Sequence, residues 1–554
     1  MCITPTCLQA AADILENMDP SVNPCDNFFK FTCGQFLNST FPIPDKKMAS
    51  LRSDMDEDIV TRLGGLLNSS ISENDIELFR QTKQLYRQCL DRKTISEQQD
   101  KNILDILNKF GGWPVVMGDT WNSTDIDWTN TPAIFSYAQL LIQPIATTYQ
   151  DHYPVKNFTN YSDDSVYYNF LVKYAVKLGA EEDRAKKEIM EAIKFENLLE
   201  LTNLGSNTIL ENEDLEMKDE NDWRNCVRQT ADSLPEIVTA LYVRNFIRDD
   251  EKLEAMNIAS NIKNELIKAI NEAKWLDVET RNNASHKVMS AKTNIGYPDF
   301  YRNDNEITEI FRDLQIGEST YLHNVWKIHR FNAALTLRGT GNKDEHFATW
   351  IPVLASTTSS TAFYYALENV IVVSPNRLQR PTIDKTQPSY MNYGRIGFVI
   401  GHELGHVFDT LRNSISKDKI TKDLLIKTSA ENLNKRVDCI MDQYNNYTFE
   451  DTNNIVNVRL PHRENIADNV GVKMIYYAYK DWSSLHDPEP TLPGLNYTSS
   501  QMFWISLASL RCTGRRTPNQ YRIIGILSNI PEFSKDFNCP LGSPMNPTKK
   551  CTIL

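Results

Sequence analysis

The sequence predicts a mainly helical protein with a smaller α+β part in its C-terminal half. This prediction depends on the chain length, the helical spacing of apolar residues, and one stretch rich in β-branched and aromatic residues. A chain of 554 residues is too long for one compact core, so we expect at least two lobes. The composition, 41% hydrophobic and 24% charged, is that of a globular protein with ample apolar content to bury.

Helical spacing is clear in residues 183–202 and 253–275, where apolar residues recur every three or four positions. The predicted inward faces are Ala185, Ile189, Ala192, Ile193 and Leu199 in the first stretch, and Leu253, Met256, Ile262 and Ile267 in the second. Segments 116–131 and 151–165 are rich in Asn, Asp and Ser, which predicts surface loops.

A different pattern begins near residue 346, where charges become rare and β-branched and aromatic residues accumulate. We predict strands near 361–365 and 369–373. Two helices are predicted after them, at about 394–410 and 461–480. The second half of the chain is therefore expected to hold the α+β part.

The net charge of −13, with no run of lysine and arginine, argues against nucleic acid and anionic membrane surfaces as partners. No window of about 18 apolar residues is present, so no membrane-spanning segment is predicted. The first 19 residues lack the basic and apolar regions of a signal peptide. We therefore expect either an ectodomain whose export segment lies outside this chain or an incomplete gene model.

Ten cysteines, crowded toward the two ends of the chain, indicate an oxidising compartment and five disulfides. None forms a CxxC pair, which argues against a cysteine zinc site, and spacing alone leaves the connectivity open. Eight Asn-x-Ser/Thr sequons give weaker support for a secreted glycoprotein. These are Asn38, Asn68, Asn122, Asn157, Asn160, Asn283, Asn446 and Asn496.

The segment His402-Glu403-Leu404-Gly405-His406 has the spacing of a zinc site. Residues four apart share one face of a helix, so His402 and His406 can both bind one Zn²⁺. Glu403 lies one residue round the helix, where a carboxylate can act as a base for a zinc-activated water. A chain with nine histidines contains this pattern by chance in roughly 1% of cases.

A third ligand is expected from the segment 463–479, where Glu464 and Asp468 are four apart and share a helical face. Glu464 could complete the zinc site. Asp468 could accept a hydrogen bond from the far ring nitrogen of a ligand histidine and so fix its tautomer. An acidic pair at this spacing is usually a solvated face, and it gains meaning only together with the two histidines.

The motifs "GFVIGHELGHVFD" and "ENIADNVGVKMIYYAY" resemble those of the neprilysin/endothelin-converting-enzyme family of zinc metalloendopeptidases. The resemblance continues into the first 37 residues and the last 34. It implies one Zn²⁺ per chain held by His402, His406 and Glu464, with Glu403 as base. Asp468 and Asp409 would be carboxylates that support the ligands.

The resemblance also implies an architecture. A thermolysin-like catalytic lobe (345–554) would lie under a large helical cap lobe (46–344) that encloses a central chamber for short peptides, with residues 1–45 packed on the catalytic lobe. The implied disulfides are Cys2–Cys7, Cys25–Cys539, Cys33–Cys512, Cys89–Cys226 and Cys439–Cys551. The protein would be extracellular, either secreted or the ectodomain of a type II membrane protein. No oligomeric state is predicted.

Some positions depart from the family pattern of substrate-binding residues. Thr361-Ala362 replaces an Asn-Ala pair that grips the peptide backbone, and a threonine hydroxyl offers fewer hydrogen-bonding atoms than an amide. Arg522 matches a family arginine that contacts substrate. Arg52 matches one that can hold a C-terminal carboxylate.

The segment 513–520 contains no histidine, although the family places one there to stabilise the oxyanion. Losing one such donor costs about 10²–10³ in rate, so we expect a slower enzyme unless Arg515 or Arg516 substitutes. Phe398 and Val399 keep the apolar character of the family's specificity pocket. Arg511 replaces a bulky aromatic residue. If its side chain faces the pocket, it would favour an acidic residue after the scissile bond. The alternative is that its side chain faces solvent.

Two hypotheses follow from these residues. The first is a zinc endopeptidase that cleaves short peptides on the amino side of bulky hydrophobic residues. The second is a non-catalytic family member that binds zinc or peptides. The absent histidine favours the second, whereas the intact base, ligands and Asp468 favour the first.

Overall fold

The protein is mainly helical, as the sequence predicts, and its few strands are short. The computed structural model describes residues 1–39, 51–73, 75–109, 111–122, 166–202, 223–317, 319–341, 358–409, 426–451, 454–457, 462–512 and 519–554. Among the helices in these ranges, none combines the length and the apolar character that crossing a bilayer requires.

The elements are numbered in chain order. Helices in the first half are α1 (Pro5–Asn17), α2 (Phe28–Ser39), α3 (Leu51–Asn68), α4 (Glu77–Leu90), α5 (Arg92–Asn108), α6 (Pro114–Met117), α7 (Val166–Lys177), α8 (Glu182–Thr202), α9 (Trp223–Ser233), α10 (Pro235–Phe246) and α11 (Asp249–Glu272). Those that follow are α12 (Val278–Ser290), α13 (Asp304–Ile310), α14 (Tyr321–Gly341), α15 (Ser389–Asp409), α16 (Lys427–Asn445), α17 (His462–Ser484), α18 (Ser499–Ser509), α19 (Asn519–Asn529) and α20 (Pro531–Asp536). The strands are β1 (Lys292–Ile295), β2 (Ala362–Tyr365), β3 (Val370–Val373), β4 (Thr448–Asp451) and β5 (Asn454–Asn457).

Two compact units are formed by the backbone, and neither is continuous in sequence. The first comprises Met1–Leu63, Pro235–Asp304 and Asp344–Leu554, and it contains the His-Glu-Leu-Gly-His segment. The second comprises Gly64–Leu234 and Asn305–Lys343. The lobe boundaries predicted from the sequence, after residues 45 and 344, remain a prediction.

The predicted helices and strands are present at nearly the predicted positions. Helices α8 and α11 correspond to the two periodic stretches, and β2 and β3 to the two predicted strands. Of the predicted loops, residues 123–131 and 151–165 lie outside the described residues. Residues 114–117 instead form the one-turn helix α6.

The inward face predicted for α11 is partly wrong. Leu253 and Met256 are 57% and 44% exposed, whereas Ala255, Ile258 and Ile262 are buried. Helix α11 packs against α15 and α17. Face prediction from large apolar residues alone overlooked the small, fully buried Ala255. On α8, Ala185, Ile189 and Ile193 are buried as predicted, while Ala192 is exposed.

Helix α15 forms the centre of the first unit and packs against α17, α18 and α11. Residues 390–398 are buried on every face of the helix, as expected for a helix at the centre of a large unit. One stripe of apolar residues at helical spacing continues through the whole helix and consists of Tyr393, Ile396, Ile400, Leu404 and Val407.

A three-stranded sheet with the order β1-β3-β2 packs beside α15. The central strand β3 is a run of β-branched residues, all buried, and it pairs in parallel with β1. Strand β2 pairs antiparallel with β3, with Ala362 opposite Val373. Within the described residues, β2 has a strand partner on one side only, which leaves it at the edge of the sheet.

Disulfides join the two ends of the chain. The pairs are Cys2–Cys7, Cys25–Cys539, Cys33–Cys512, Cys89–Cys226 and Cys439–Cys551, the same pairs that the family resemblance implies. Two of these bonds link residues more than 470 positions apart, so they fix α2 and the segment just before it to the C-terminal part of the first unit.

Candidate metal centre

Two helices supply the side chains of the candidate metal centre. Helix α15 places His402 and His406 on one face, with ring centroids 4.6 Å apart and planes inclined by 77°. Helix α17 brings Glu464 to the same point. One carboxylate oxygen of Glu464 lies 3.2 Å from Nε2 of His402, and the other lies 3.3 Å from Nε2 of His406.

These separations fit one tetrahedral zinc ion. Metal bonds of roughly 2.0–2.1 Å at tetrahedral angles place ligand atoms about 3.3 Å apart. Potential ligand atoms of the three residues all lie within 4.8 Å of one another. Two neutral imidazoles and one carboxylate, with a fourth position left for water or substrate, are the donor set of catalytic zinc sites.

The orientation of His402 is fixed by Asp468, a fully buried residue one turn after Glu464. Asp468 Oδ1 lies 2.8 Å from Nδ1 of His402, and Oδ2 accepts a hydrogen bond of 2.6 Å from Nε of Arg522. Burial alone would raise the pKa of Asp468, but Arg522 and His402 hold it well below its usual range. With Nδ1 donating to this carboxylate, Nε2 of His402 presents its lone pair to the metal position.

The electrostatic field of the centre favours a cation. Burial opposes protonation of His402, yet Asp468, Glu464 and Glu403 outweigh it and raise the pKa of His402 to about 9. The carboxylates that stabilise a proton there would stabilise a divalent ion in the same way.

Glu403 lies beside this ligand set and is not part of it. Its side chain is only 5% exposed, and it interacts electrostatically with both histidines. Burial raises the pKa of Glu403 above its ordinary value, and His402 and His406 partly offset the rise. A desolvated carboxylate with a raised pKa is a stronger base than an exposed one, so this position suits proton transfer.

Two arginines lie close to the carboxylates. Arg522, on α19, binds Asp468 and also has Nη2 3.5 Å from an oxygen of Glu464. Arg511 follows α18, and its guanidinium lies 4.7 Å from the ring centroid of Phe398. The guanidinium thus lies against a buried ring of α15, and its role in a substrate pocket remains a prediction.

Other predicted residues are placed only in part. Thr361 and Ala362 lie at the start of the edge strand β2, which packs against α15. The side chains of Asp409 and Arg52 lie outside the described residues, as do Arg515 and Arg516.

Sequence reasoning missed the residues that let the two ligand-bearing helices touch. A Cβ atom on Gly405 would lie 2.2 Å from the carbonyl oxygen of Ala467, and one on Gly471 would lie 2.2 Å from that of Gly401. Backbone therefore contacts backbone at this crossing. The sequence does contain a signal for this close contact, because small residues lie four apart in both helices: Gly401 and Gly405 in α15, and Ala467 and Gly471 in α17.

Asp468→Asn is expected to weaken zinc binding by about 10–100-fold, because a neutral amide holds the His402 imidazole less firmly and leaves Arg522 with only its longer ion pair, to Glu464. Competition with a fluorescent chelator would measure the affinity. Asp481→Asn, an exposed position on the same helix, is the control and should bind zinc normally. Equal affinities of the two variants would contradict the role given to Asp468.

The chain is similar in sequence to known metallopeptidases. Two sequence profiles described as peptidase family M13 match the chain, one over residues 361–553 and the other over residues 24–213 and 203–298. Neprilysin-2 of Drosophila melanogaster is 28% identical, over 100% of this chain and 89% of that protein. Endothelin-converting enzyme 1 of Homo sapiens is 26% identical, over 100% of this chain and 87% of that protein.

Among solved structures, the zinc metalloprotease ZMP1 of Mycobacterium tuberculosis in its open state superimposes with a TM-score of 0.67. The match covers 96% of this chain and 100% of that chain, at 16% identity. At an identity this low, the structural similarity shows a shared fold and nothing more.

Proposed function

Because the chain belongs to peptidase family M13, we propose that it is an extracellular zinc endopeptidase that hydrolyses short peptides, with Glu403 as the catalytic base. The observation that carries the proposal is the position of the buried Glu403 beside His402, His406 and Glu464, whose ligand atoms have the spacing of one zinc ion. A ligand set without an adjacent base would suit a structural metal equally well.

Zinc, when bound, would polarise the scissile carbonyl and lower the pKa of the attacking water. Glu403 accepts the proton from that water and delivers it to the nitrogen of the leaving fragment. Asp468 holds His402 in the required tautomer, and Arg522 neutralises Asp468. We assign Asp409 a further supporting role, as the family resemblance implies.

The substrate would bind as an added strand along the edge of β2, which begins at Ala362 next to Thr361, whose carbonyl accepts a hydrogen bond from the backbone N–H of Ser374. Arg522 borders the site through its contact with Glu464. The family resemblance assigns Phe398 and Val399 to the apolar wall of the specificity pocket. Phe398 lies one helical turn before His402 and is 2% exposed, and Val399 is partly buried. An apolar wall here supports cleavage on the amino side of bulky hydrophobic residues.

An extracellular location is supported by the five disulfides, since such bonds persist in oxidising compartments. The sequons at Asn68, Asn446 and Asn496 lie at exposed positions, where a glycan can be attached.

The test is the zinc content of the purified chain together with turnover of a quenched fluorescent peptide library. We expect one zinc ion per chain and cleavage that stops with a chelator and returns with added Zn²⁺. Turnover is expected to be slow, since no histidine follows His486 in the sequence to supply the oxyanion donor. Bound zinc without any cleavage would instead support the alternative, a zinc- or peptide-binding ectodomain.

A further inference from the structure

Arg511 is held in a fixed position beside the metal centre. Its backbone N–H donates to the carbonyl of Ala508 at the end of α18, and the next residue, Cys512, is bonded to Cys33 on α2. The partly buried side chain extends to the ring of Phe398, which precedes His402 by one turn of α15. The backbone anchors on both sides of the residue restrict where the guanidinium can lie.

The charge of Arg511 has no direct counter-ion in the part of the chain that the structure describes. Arg522 and Arg377 repel the guanidinium, whereas Asp468, Glu464 and Glu403 attract it. No ion pair or hydrogen bond of its side chain joins it to a described residue. Both oxygens of Asp468 are used by His402 and Arg522.

A desolvated guanidinium without a partner is unfavourable, and it has five N–H donors in a fork that matches a carboxylate. Its place over Phe398 puts this fork on the apolar wall to which we assigned substrate contact. A carboxylate of the substrate would supply the partner that the described residues do not.

We propose that Arg511 is a specificity-determining residue that binds a carboxylate of the peptide on the leaving side of the scissile bond. The inference rests on the proposed function and refines its substrate class. The leaving side follows from the family resemblance, in which Arg511 takes the place of a bulky aromatic residue of the pocket for the side chain just beyond the scissile bond. The carboxylate is either the side chain of Asp or Glu at that position or a free C-terminus.

This inference refines the proposed preference for bulky apolar residues. An apolar side chain gains nothing from the guanidinium, whereas a carboxylate gains a charge-assisted pair. The discriminating comparison is therefore between Glu and Gln, which have nearly the same shape and differ in charge.

Binding of dipeptide hydroxamates to the full zinc-loaded chain tests the inference without requiring turnover. The hydroxamate anchors on the zinc ion and fixes the register of the residue that follows. Three probes are compared by calorimetry: one with Glu and an amidated C-terminus, one with Gln and an amidated C-terminus, and one with Gln and a free C-terminus. We expect at least one of the two charged probes to bind about tenfold or more tightly than the Gln amide. The charged probe that binds more tightly identifies the source of the carboxylate.

Arg511→Met keeps an unbranched side chain on Phe398 and removes the charge, so the expected ratio between charged and neutral probes falls to about one. Arg436→Met is the matched control, because Arg436 also lies over an aromatic ring, that of Trp275, outside the metal centre. It should leave the ratio unchanged.

A purely structural role of Arg511 would lower the melting temperature of Arg511→Met and leave the probe ratio as it was. That outcome overturns the inference. Equal binding of the three probes to the parent protein, or no binding of any probe, also overturns it. Failure of the proposed function is a separate result, because it would appear as absent peptide cleavage while the probes could still discriminate.

Discussion

Glu403→Gln is expected to lower kcat by about 10²–10⁴-fold while the zinc content stays at one ion per chain. Glutamine has nearly the same shape as glutamate and cannot accept the proton of the attacking water. Zinc should remain, since the spacing of the ligand atoms involves His402, His406 and Glu464 and not Glu403. Peptide turnover and metal analysis on the same preparation would check both parts.

The matched control for this variant is Glu236→Gln. Glu236 is another buried carboxylate of the same unit, 7% exposed, and burial raises its pKa to about 7. It lies on α10, away from the metal centre, so kcat should be unaffected even if stability changes. Normal turnover by Glu403→Gln would remove Glu403 from the mechanism, and equal losses in both variants would indicate a general effect of altering a buried carboxyl group.

The local part of the metal centre could be predicted from sequence because helical geometry is regular. The spacing of His402 and His406 determines that they share a face, and the buried stripe of α15 confirms the helix around them. The helix begins at Ser389, about five residues earlier than predicted. Tyr390 and Met391, which are also buried, extend it beyond the apolar run that the prediction used.

The non-local part could not be derived from spacing. Glu464 is 58 positions after His406, and a sequence separation of that size carries no distance information. Its choice as third ligand came from an acidic pair at helical spacing and from the family resemblance. The structure places its oxygens 3.2 and 3.3 Å from the two imidazoles. The contact between the helices that makes this possible was not predicted.

That contact leads to the second large effect, which is expected for Gly405→Ala. The added Cβ would lie 2.2 Å from the carbonyl oxygen of Ala467 and 2.7 Å from its Cα, both backbone atoms that no rotamer change can move. Helices α15 and α17 would have to separate by roughly 1 Å to restore normal contact distances. Overpacking of this kind costs about 3 kcal/mol, the upper end of its usual range.

The same displacement would move Glu464 away from His402 and His406, because the ligands are divided between the two helices. Metal bonds tolerate only about 0.2 Å of variation, so zinc affinity should fall by at least about tenfold. Gly65→Ala on α3 is the control, since a Cβ there meets nothing within 4 Å and alanine favours a helix by about 0.5–1 kcal/mol. Unfolding by urea and zinc titration of both variants would separate the two effects. A Gly405→Ala protein as stable and as tightly zinc-binding as the parent would show that the crossing is not what holds the ligands together.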